Sequence, residues 1–318
     1  MESKITLKLL TDEHVPAEVR SLIPAGGGII KHAGLLFYSI GNGILCCSAE
    51  GEEARVLYAM QQDSSHPYQA DTAEGVFCRL LLGDTRAAAE RLMDMRIPDR
   101  RLRTVVLFHT ESTPEVRLHE LFSEIVPRED QDYILPVTPF SVAVIKDCAH
   151  REKSEIAEYA AAVIETLEGE GTTGLTAGIG GVKPDLVHLQ EAYTEALRAL
   201  ETGRRYHPGK RVCLFDDCML ERIIQTIPEP QCREIRDRFL EKCEGLDLNA
   251  ELTETVEVFF RNDLNLSAAS KQLFIHRNTL NYRLDKIRRE TGLDLRCFRD
   301  AVIFRVMLDF LNDTHLNK

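Results

Sequence analysis

The sequence predicts a multidomain α+β protein with an α/β domain in the middle and an all-helical domain at the C-terminal end. Between residues 101 and 218, apolar β-branched runs alternate with stretches whose apolar residues recur at helical spacing. The order is β-α-β-β-α-β-α-β, which is typical of a sheet flanked by helices. From Met219 onward the helical periodicity continues without a strand-like run. A length of 318 residues agrees with two or three domains.

Residues 1–70 predict a small α+β region, for which the architecture alone suggests a sensory role with a small-molecule effector. The Gly-Asn-Gly sequence at Gly41–Gly43 separates two apolar runs and favours a hairpin turn. The three glycines Gly26–Gly28 are followed by Ile29 and Ile30 rather than by a lysine and a hydroxyl residue. This argues against a phosphate-binding loop.

Residues 71–100 predict a helical linker. Apolar residues recur at helical spacing between Ala73 and Met95. Asp84 has the chemistry of a cap at the start of the second half, and Pro98 ends the helix.

The strands and helices of the middle domain, residues 101–218, can be bounded from the sequence. The first strand spans 102–110, and a hydroxyl cap followed by Pro114 starts the next helix near Ser112. Residues 133–147 predict two strands around a turn that holds Pro136 and Pro139. The remaining elements are a helix over 152–167, a strand over 174–180, a helix over 185–205 and a strand over 211–215.

Charge is distributed unevenly along the chain. The net charge is -12, but the stretch 266–292 carries six Lys and Arg residues against Asp285 and Glu290. Phosphate contacts need clustered cations and not a basic protein as a whole. An acidic body with one basic helix is therefore compatible with a nucleic-acid partner.

The sequence gives no indication of a membrane segment, a cofactor or a metal. No apolar run approaches the roughly 20 residues needed to cross a bilayer, and the N-terminus lacks the apolar core of a signal peptide. The nine cysteines form no CxxC pair and no Cys/His quartet with zinc spacing. We expect a cytoplasmic protein with reduced thiols, no cofactor and no membrane partner.

After a helical connector at residues 219–248, the domain 249–318 predicts a helix-turn-helix. A first apolar-faced helix is broken near Asn262 and is followed by Ser267, which we take as the N-cap of a short second helix. A turn at Phe274 leads into a longer helix from His276 to Thr291. A non-glycine residue is strained at positive φ. We therefore expect the turn to take a geometry without positive φ at Phe274.

The longer helix has one apolar face and one polar, basic face. Leu280, Leu284 and Ile287 are spaced to face the core. Such a helix fits a major groove, where Asn pairs with adenine, Arg with guanine, and cations along the helix neutralise phosphates. The candidate contacts are Ser267, Lys271, His276, Arg277, Asn278, Thr279, Asn281, Tyr282, Arg283, Lys286 and Arg289. The alternative is a solvated amphipathic helix in an ordinary bundle.

The block 265–283 (NLSAASKQLFIHRNTLNYR), continuing to Gly292, closely resembles the C-terminal helix-turn-helix of the PucR/CdaR family of bacterial transcriptional regulators. In that family the block binds operator DNA. The resemblance implies the same role here for Arg277, Asn278, Thr279, Tyr282 and Arg283.

The middle domain is similar to the degenerate GGDEF-like domain that members of this family carry. The similarity lies in 174–180, 189–197 and 212–216, and the whole resemblance covers residues 75 to 312. Active relatives of this fold place metal-binding carboxylates at the end of the first strand and in the central hairpin. Here the first strand ends in Phe108-His109-Thr110 and the hairpin is Leu135–Phe140. Neither segment contains an acidic residue. We therefore expect no enzymatic activity, and a role in dimerisation or signal relay.

Three functional hypotheses follow. The first is a homodimeric regulator that binds a double-stranded DNA operator and responds to an effector, with the last helix, 297–311, closing the domain rather than forming the dimer contact. The second is a nucleotide cyclase-like enzyme with an appended helical module. The third is an interaction scaffold whose helix-turn-helix does not bind DNA.

Overall fold

The computed structural model describes residues 8–10, 29–32, 35–40, 43–48, 71–110, 118–129, 131–138, 140–149, 151–207, 209–243 and 249–313. The chain divides into two compact units. The first consists of Met1–Gly203 and Lys210–Asp217, and the second of Arg204–Gly209 and Cys218–Lys318. No helix of the described segments is long and apolar enough to span a bilayer.

The N-terminal part contains a four-stranded antiparallel sheet. Its strands, in the order β1-β4-β3-β2, are β1 Lys8–Leu10, β2 Ile29–His32, β3 Leu35–Ile40 and β4 Gly43–Ser48. The last pair of β3 and β4 joins Ile40 to Gly43, as a hairpin requires. Gly41, Asn42 and the glycines Gly26–Gly28 lie outside the described residues.

A five-stranded mixed sheet forms the middle of the chain, in the order β6-β7-β5-β8-β9. Its strands are β5 Arg103–Thr110, β6 Tyr133–Thr138, β7 Ser141–Asp147, β8 Leu175–Ile179 and β9 Val212–Leu214. The helices of this unit are α1 Ala73–Leu81, α2 Thr85–Asp94, α3 Leu118–Ile125, α4 Lys153–Gly169 and α5 Leu189–Tyr206. The predicted order of elements is confirmed, and among the described strands of this sheet only β8 and β9 pair in parallel.

Helices cover both faces of this sheet. On one face, α1, α2 and α5 pack against Val105 and Leu107 of β5; on the other, α3 and α4 pack against Val106 and Phe108. The alternation of side chains along a strand explains why β5 reads as a continuous apolar run. The segment predicted as a helical linker therefore forms two helices that contribute to the core, with Phe77 fully buried.

The prediction that Pro136 lies in a turn is wrong. Pro136 lies within β6, which is an edge strand, and the register shifts between Pro136 and Thr138. An edge strand tolerates proline because the missing N–H is not needed for pairing on the open side. Pro139 and the predicted helix start at Ser112 lie outside the described residues.

The second unit is helical throughout its described part. Its helices are α6 Met219–Ile224, α7 Glu229–Lys242, α8 Ala250–Arg261, α9 Leu266–Gln272, α10 Arg277–Thr291 and α11 Phe298–Asn312. Helices α8, α9 and α10 form the predicted helix-turn-helix domain around Val256, Phe259 and Ala269. Helix α11 closes this core with Phe304 and Leu308, while Phe298, Val302 and Ile303 are exposed.

The N-cap of α9 is not the predicted residue. Asn265 accepts hydrogen bonds through its side chain from the backbone N–H groups of Ser267 and Ala268. Ser267 lies in the first turn of the helix instead. Asparagine and serine cap helices about equally well, so composition alone does not separate the two positions.

The right-handed helix α9 ends with Phe274 in the left-handed backbone region. This contradicts our expectation that the turn avoids positive φ at Phe274. The φ of Phe274 is +54°, in the region that disfavours side chains. The N–H of Ile275 donates to the carbonyl of Ser270, and the N–H of Phe274 to that of Lys271. This pattern defines a Schellman motif, in which glycine is the usual residue at the left-handed position. The ring of Phe274 is 96% exposed.

We predict that Gly178→Ala destabilises the first unit. A methyl group at Gly178 would lie 2.0 Å from the carbonyl oxygen of Ala196 on α5. Overpacking of this kind lowers the free energy of unfolding by about 1–3 kcal/mol, which chemical denaturation measures. Gly169→Ala is the matched control, because its methyl group meets nothing within 4 Å. Equal effects of the two substitutions would contradict the close packing of α5 on β8.

We also predict that Phe274→Gly stabilises the second unit. Glycine adopts positive φ without a steric penalty, so the free energy of unfolding should rise by about 1 kcal/mol. Phe274→Ala is the control, because alanine removes the ring and keeps the strained φ. Denaturation midpoints of the two variants measure the difference. A gain of the same size in both would assign the effect to the exposed ring.

Candidate nucleic-acid interface

The first turn of α10 presents three polar side chains to solvent. Arg277, Asn278 and Thr279 are all exposed, and Tyr282 one turn later is 63% exposed. On the side of the same helix opposite Asn278 and Tyr282, Leu280 and Leu284 are completely buried. The buried stripe fixes the rotation of α10 about its axis, and so it fixes which residues lie outermost.

His276 is the N-cap of α10 and not part of the helix. Its Nδ1 atom accepts a hydrogen bond of 3.2 Å from the backbone N–H of Asn278. An accepting Nδ1 assigns the proton of the neutral ring to Nε2, on the exposed side chain. The start of α10 therefore combines the Nε2–H donor of an exposed imidazole with the positive end of the helix dipole.

Several cations of this domain have no partner within the described part of the chain. Lys271 on α9 and Arg277, Lys286 and Arg289 on α10 form no ion pair or side-chain hydrogen bond there. Lys286 is half-buried, whereas the other three are exposed. These cations are free to neutralise an anionic surface such as a phosphate backbone.

Arg283, unlike Arg277, Lys286 and Arg289, is bonded to side chains of the neighbouring helix α8. Its Nη1 atom donates to Oγ1 of Thr255 at 2.8 Å, and its Nη2 atom pairs with the carboxylate of Glu251. The side chain is only 18% exposed. Arg283 thus ties α10 to α8 in this arrangement, although the sequence placed it among the DNA contacts.

The remaining predicted residues flank the exposed face. Ser267 at the start of α9 is exposed, and Asn281 is half-buried. Arg288, which the sequence interpretation left out, is 60% exposed and lies 3.4 Å from Asp294. Because Arg288 directly precedes Arg289, the sequence could have indicated it as a further candidate DNA contact.

In the sheet domain, the end of β5 is where active relatives have metal-binding carboxylates, and here it has a histidine and a serine instead. At the end of β5, Nδ1 of His109 lies 2.8 Å from Oγ of Ser141, the first residue of β7. The described residues of the β6–β7 turn contribute no acidic side chain. Buried charges of this domain lie elsewhere: Nζ of Lys146 contacts Asp132 at 2.5 Å, and Arg103 is also completely buried.

Comparison with known proteins agrees with both domains. The profile of the PucR C-terminal helix-turn-helix domain matches residues 252–310, and that of the GGDEF-like domain matches residues 82–202. The carbohydrate diacid regulator of Escherichia coli (strain K12) is 25% identical over 83% of this chain and 71% of its own length.

Two relatives from Bacillus subtilis (strain 168) match over shorter stretches. The proline-responsive transcriptional activator PutR is 36% identical over 40% of this chain, and the DNA-binding transcriptional activator AdeR is 31% identical over 37%. These matches span 32% and 29% of the two activators. The two domain matches, in the order in which the fold presents them, place this chain in the PucR/CdaR family of DNA-binding transcriptional regulators.

Proposed function

We propose that this regulator recognises a double-stranded operator with the first turn of α10. The observation that carries the proposal is the exposure of Arg277, Asn278 and Thr279 at the start of a helix whose apolar stripe is fully buried. The N-terminal residues of a recognition helix are those that reach base edges in a major groove. Arg277 has the donors for guanine, and Asn278 has the amide for adenine.

The surrounding residues fit contacts to the DNA backbone. Lys271, Lys286 and Arg289 supply positive charge, and the hydroxyl groups of Ser267 and Tyr282 supply donors for phosphate oxygens. The Nε2–H group of His276 adds a donor at the positive end of the helix dipole. Backbone contacts of this type position the helix but do not read sequence.

We further propose a cytoplasmic homodimer that controls metabolic genes in response to a small effector. Two copies related by a two-fold axis would place their recognition helices about 34–36 Å apart, on successive major grooves. The names of two relatives, a carbohydrate diacid regulator and a proline-responsive activator, support small metabolites as effectors. The region 1–70 is the proposed effector-binding part.

The GGDEF-like domain is proposed to be noncatalytic. The His109–Ser141 pair stands where active relatives hold carboxylates, and Mg²⁺ on a nucleotide needs carboxylate ligands that a hydroxyl–imidazole pair lacks. Incubation of the protein with nucleoside triphosphates and Mg²⁺ tests this proposal. Product formation above the background would favour the cyclase hypothesis instead.

The proposal as a whole is tested by selection of bound fragments from genomic DNA with the purified full-length protein. Recovery of a palindromic site beside metabolic genes is the expected result. If the recovered fragments share no common sequence and bind only weakly at every salt concentration, the result favours the interaction-scaffold hypothesis.

We predict that Arg277→Ala weakens binding to the selected site by about 1–3 kcal/mol and relaxes the sequence preference at one position. Lys286→Gln should weaken binding to all sequences alike and reduce the salt slope by about 1. Fluorescence anisotropy at several salt concentrations measures both. Arg238→Ala is the control, since Arg238 is an exposed arginine of α7 paired with Glu234. A loss of affinity as large in the control would contradict the assignment to α10.

Arg283 should behave differently from Arg277. Arg283→Met keeps the apolar stem but removes the bonds to Thr255 and Glu251, so the free energy of unfolding should fall by about 1 kcal/mol. Urea denaturation measures the change, and Arg277→Ala is expected to leave stability unaltered. A stable Arg283→Met variant that has lost DNA affinity would instead place Arg283 on the DNA.

A further inference from the structure

A buried polar cluster lies in the second unit, away from the exposed face of α10. It consists of His207, which follows α5, Glu221 on α6 and Asp309 on α11. Nε2 of His207 lies 2.7 Å from Oε1 of Glu221, and one ligand atom from each of the three residues lies within 4.8 Å of the others. His207 and Glu221, which are 14 residues apart, thus meet Asp309 of α11, and one imidazole and two carboxylates lie together.

The two carboxylates are almost completely buried and incompletely paired. Glu221 is 3% exposed and Asp309 is 1% exposed. Oε2 of Glu221 and Oδ2 of Asp309 have no hydrogen-bond partner among the described residues. Burial, with the nearby charge of Glu221, raises the pKa of Asp309 to about 7. Buried carboxylate oxygens without partners are costly, and they indicate a ligand that accepts their lone pairs.

Arg305 contacts both carboxylates of the cluster. Nη2 of Arg305 lies 3.2 Å from Oε1 of Glu221 and 3.3 Å from Oδ1 of Asp309, and Nη1 lies 3.0 Å from Oε1 of Glu257. Among the described residues, three carboxyl groups therefore share one guanidinium. The guanidinium occupies one oxygen of each buried carboxylate, and the other oxygen of each remains open.

We propose that His207, Glu221 and Asp309 bind one divalent transition-metal ion of the zinc class. An imidazole nitrogen with two carboxylate oxygens suits Zn²⁺ and its neighbours better than Mg²⁺ or Ca²⁺, which prefer all-oxygen sites. In the tetrahedral geometry usual for Zn²⁺, ligand atoms about 2.0–2.2 Å from the ion lie about 3.3–3.6 Å from one another. The ligand atoms of the cluster lie within 4.8 Å of one another, so the proposal includes an adjustment of these side chains around the ion.

The thiols of the chain are the competing zinc ligands. Among the described free cysteines, only Cys297 is exposed, and the other seven are buried. A zinc ion held by thiolate would have a different spectroscopic signature from one held by nitrogen and oxygen. The metal site therefore has to be tested by coordination chemistry as well as by affinity.

The test is titration of the metal-free, full-length protein with Zn²⁺ and, separately, with Co²⁺. We expect one ion per chain at this site, weak visible Co²⁺ bands without intense sulfur charge transfer, and a higher thermal midpoint with Zn²⁺. No binding at micromolar Zn²⁺ would overturn the proposal, as would a thiolate spectrum.

Two substitutions locate the site. His207→Ala and Asp309→Asn should each lower the affinity for Zn²⁺ by at least about 100-fold, since loss of outer contacts alone costs 10–100-fold. His188→Ala is the matched control, because His188 pairs with Asp185 on the surface of the first unit. Unchanged affinity in both folded variants would overturn the site.

A measurement on the unaltered protein covers the case in which a variant fails to fold. X-ray absorption at the zinc edge should show a shell of nitrogen and oxygen with one imidazole. A shell that contains sulfur would reject His207, Glu221 and Asp309 as the ligands.

Discussion

The contact between α10 and the two helices before it decides what the C-terminal domain presents to solvent. Leu280, Leu284 and Ile287 are completely buried, and burial of each contributes about 1.5–3 kcal/mol. Because the three lie along one stripe, a rotation of α10 about its axis would expose at least one of them. The outward direction of Asn278 and Tyr282, on the side opposite the stripe, is therefore a consequence of apolar packing.

The same constraint explains why charge alone does not identify the contacts of a recognition helix. Arg283 directly precedes Leu284, so its stem starts at the edge of the buried stripe. From there the guanidinium reaches Thr255 and Glu251 on α8. The long stem allows an arginine at this position to point either outward or back to a neighbouring helix. The presence of Glu251 on α8 decides between the two, and sequence periodicity does not show that contact.

The features predicted from sequence are those set by repeating patterns. The order of strands and helices in the sheet domain and the apolar stripe of α10 both follow from periodicity and match the structure. The errors lie where single residues compete or where tertiary geometry overrides preference. Asn265 and Ser267 offer similar cap chemistry, and the crossing of α9 and α10 imposes positive φ on Phe274 although its side chain disfavours it.

The cluster of His207, Glu221 and Asp309 had no sequence signal, because no fixed spacing connects its members. Its place in the domain gives it a mechanical consequence. Asp309 directly follows Leu308, which packs in the core of the helix-turn-helix domain together with Phe304. An ion that holds Asp309 also restrains the helix that closes that core. If such an ion favours the arrangement of α11 found in the DNA-bound protein, it raises the affinity for DNA by some factor. By linkage, DNA must then raise the affinity for the ion by the same factor.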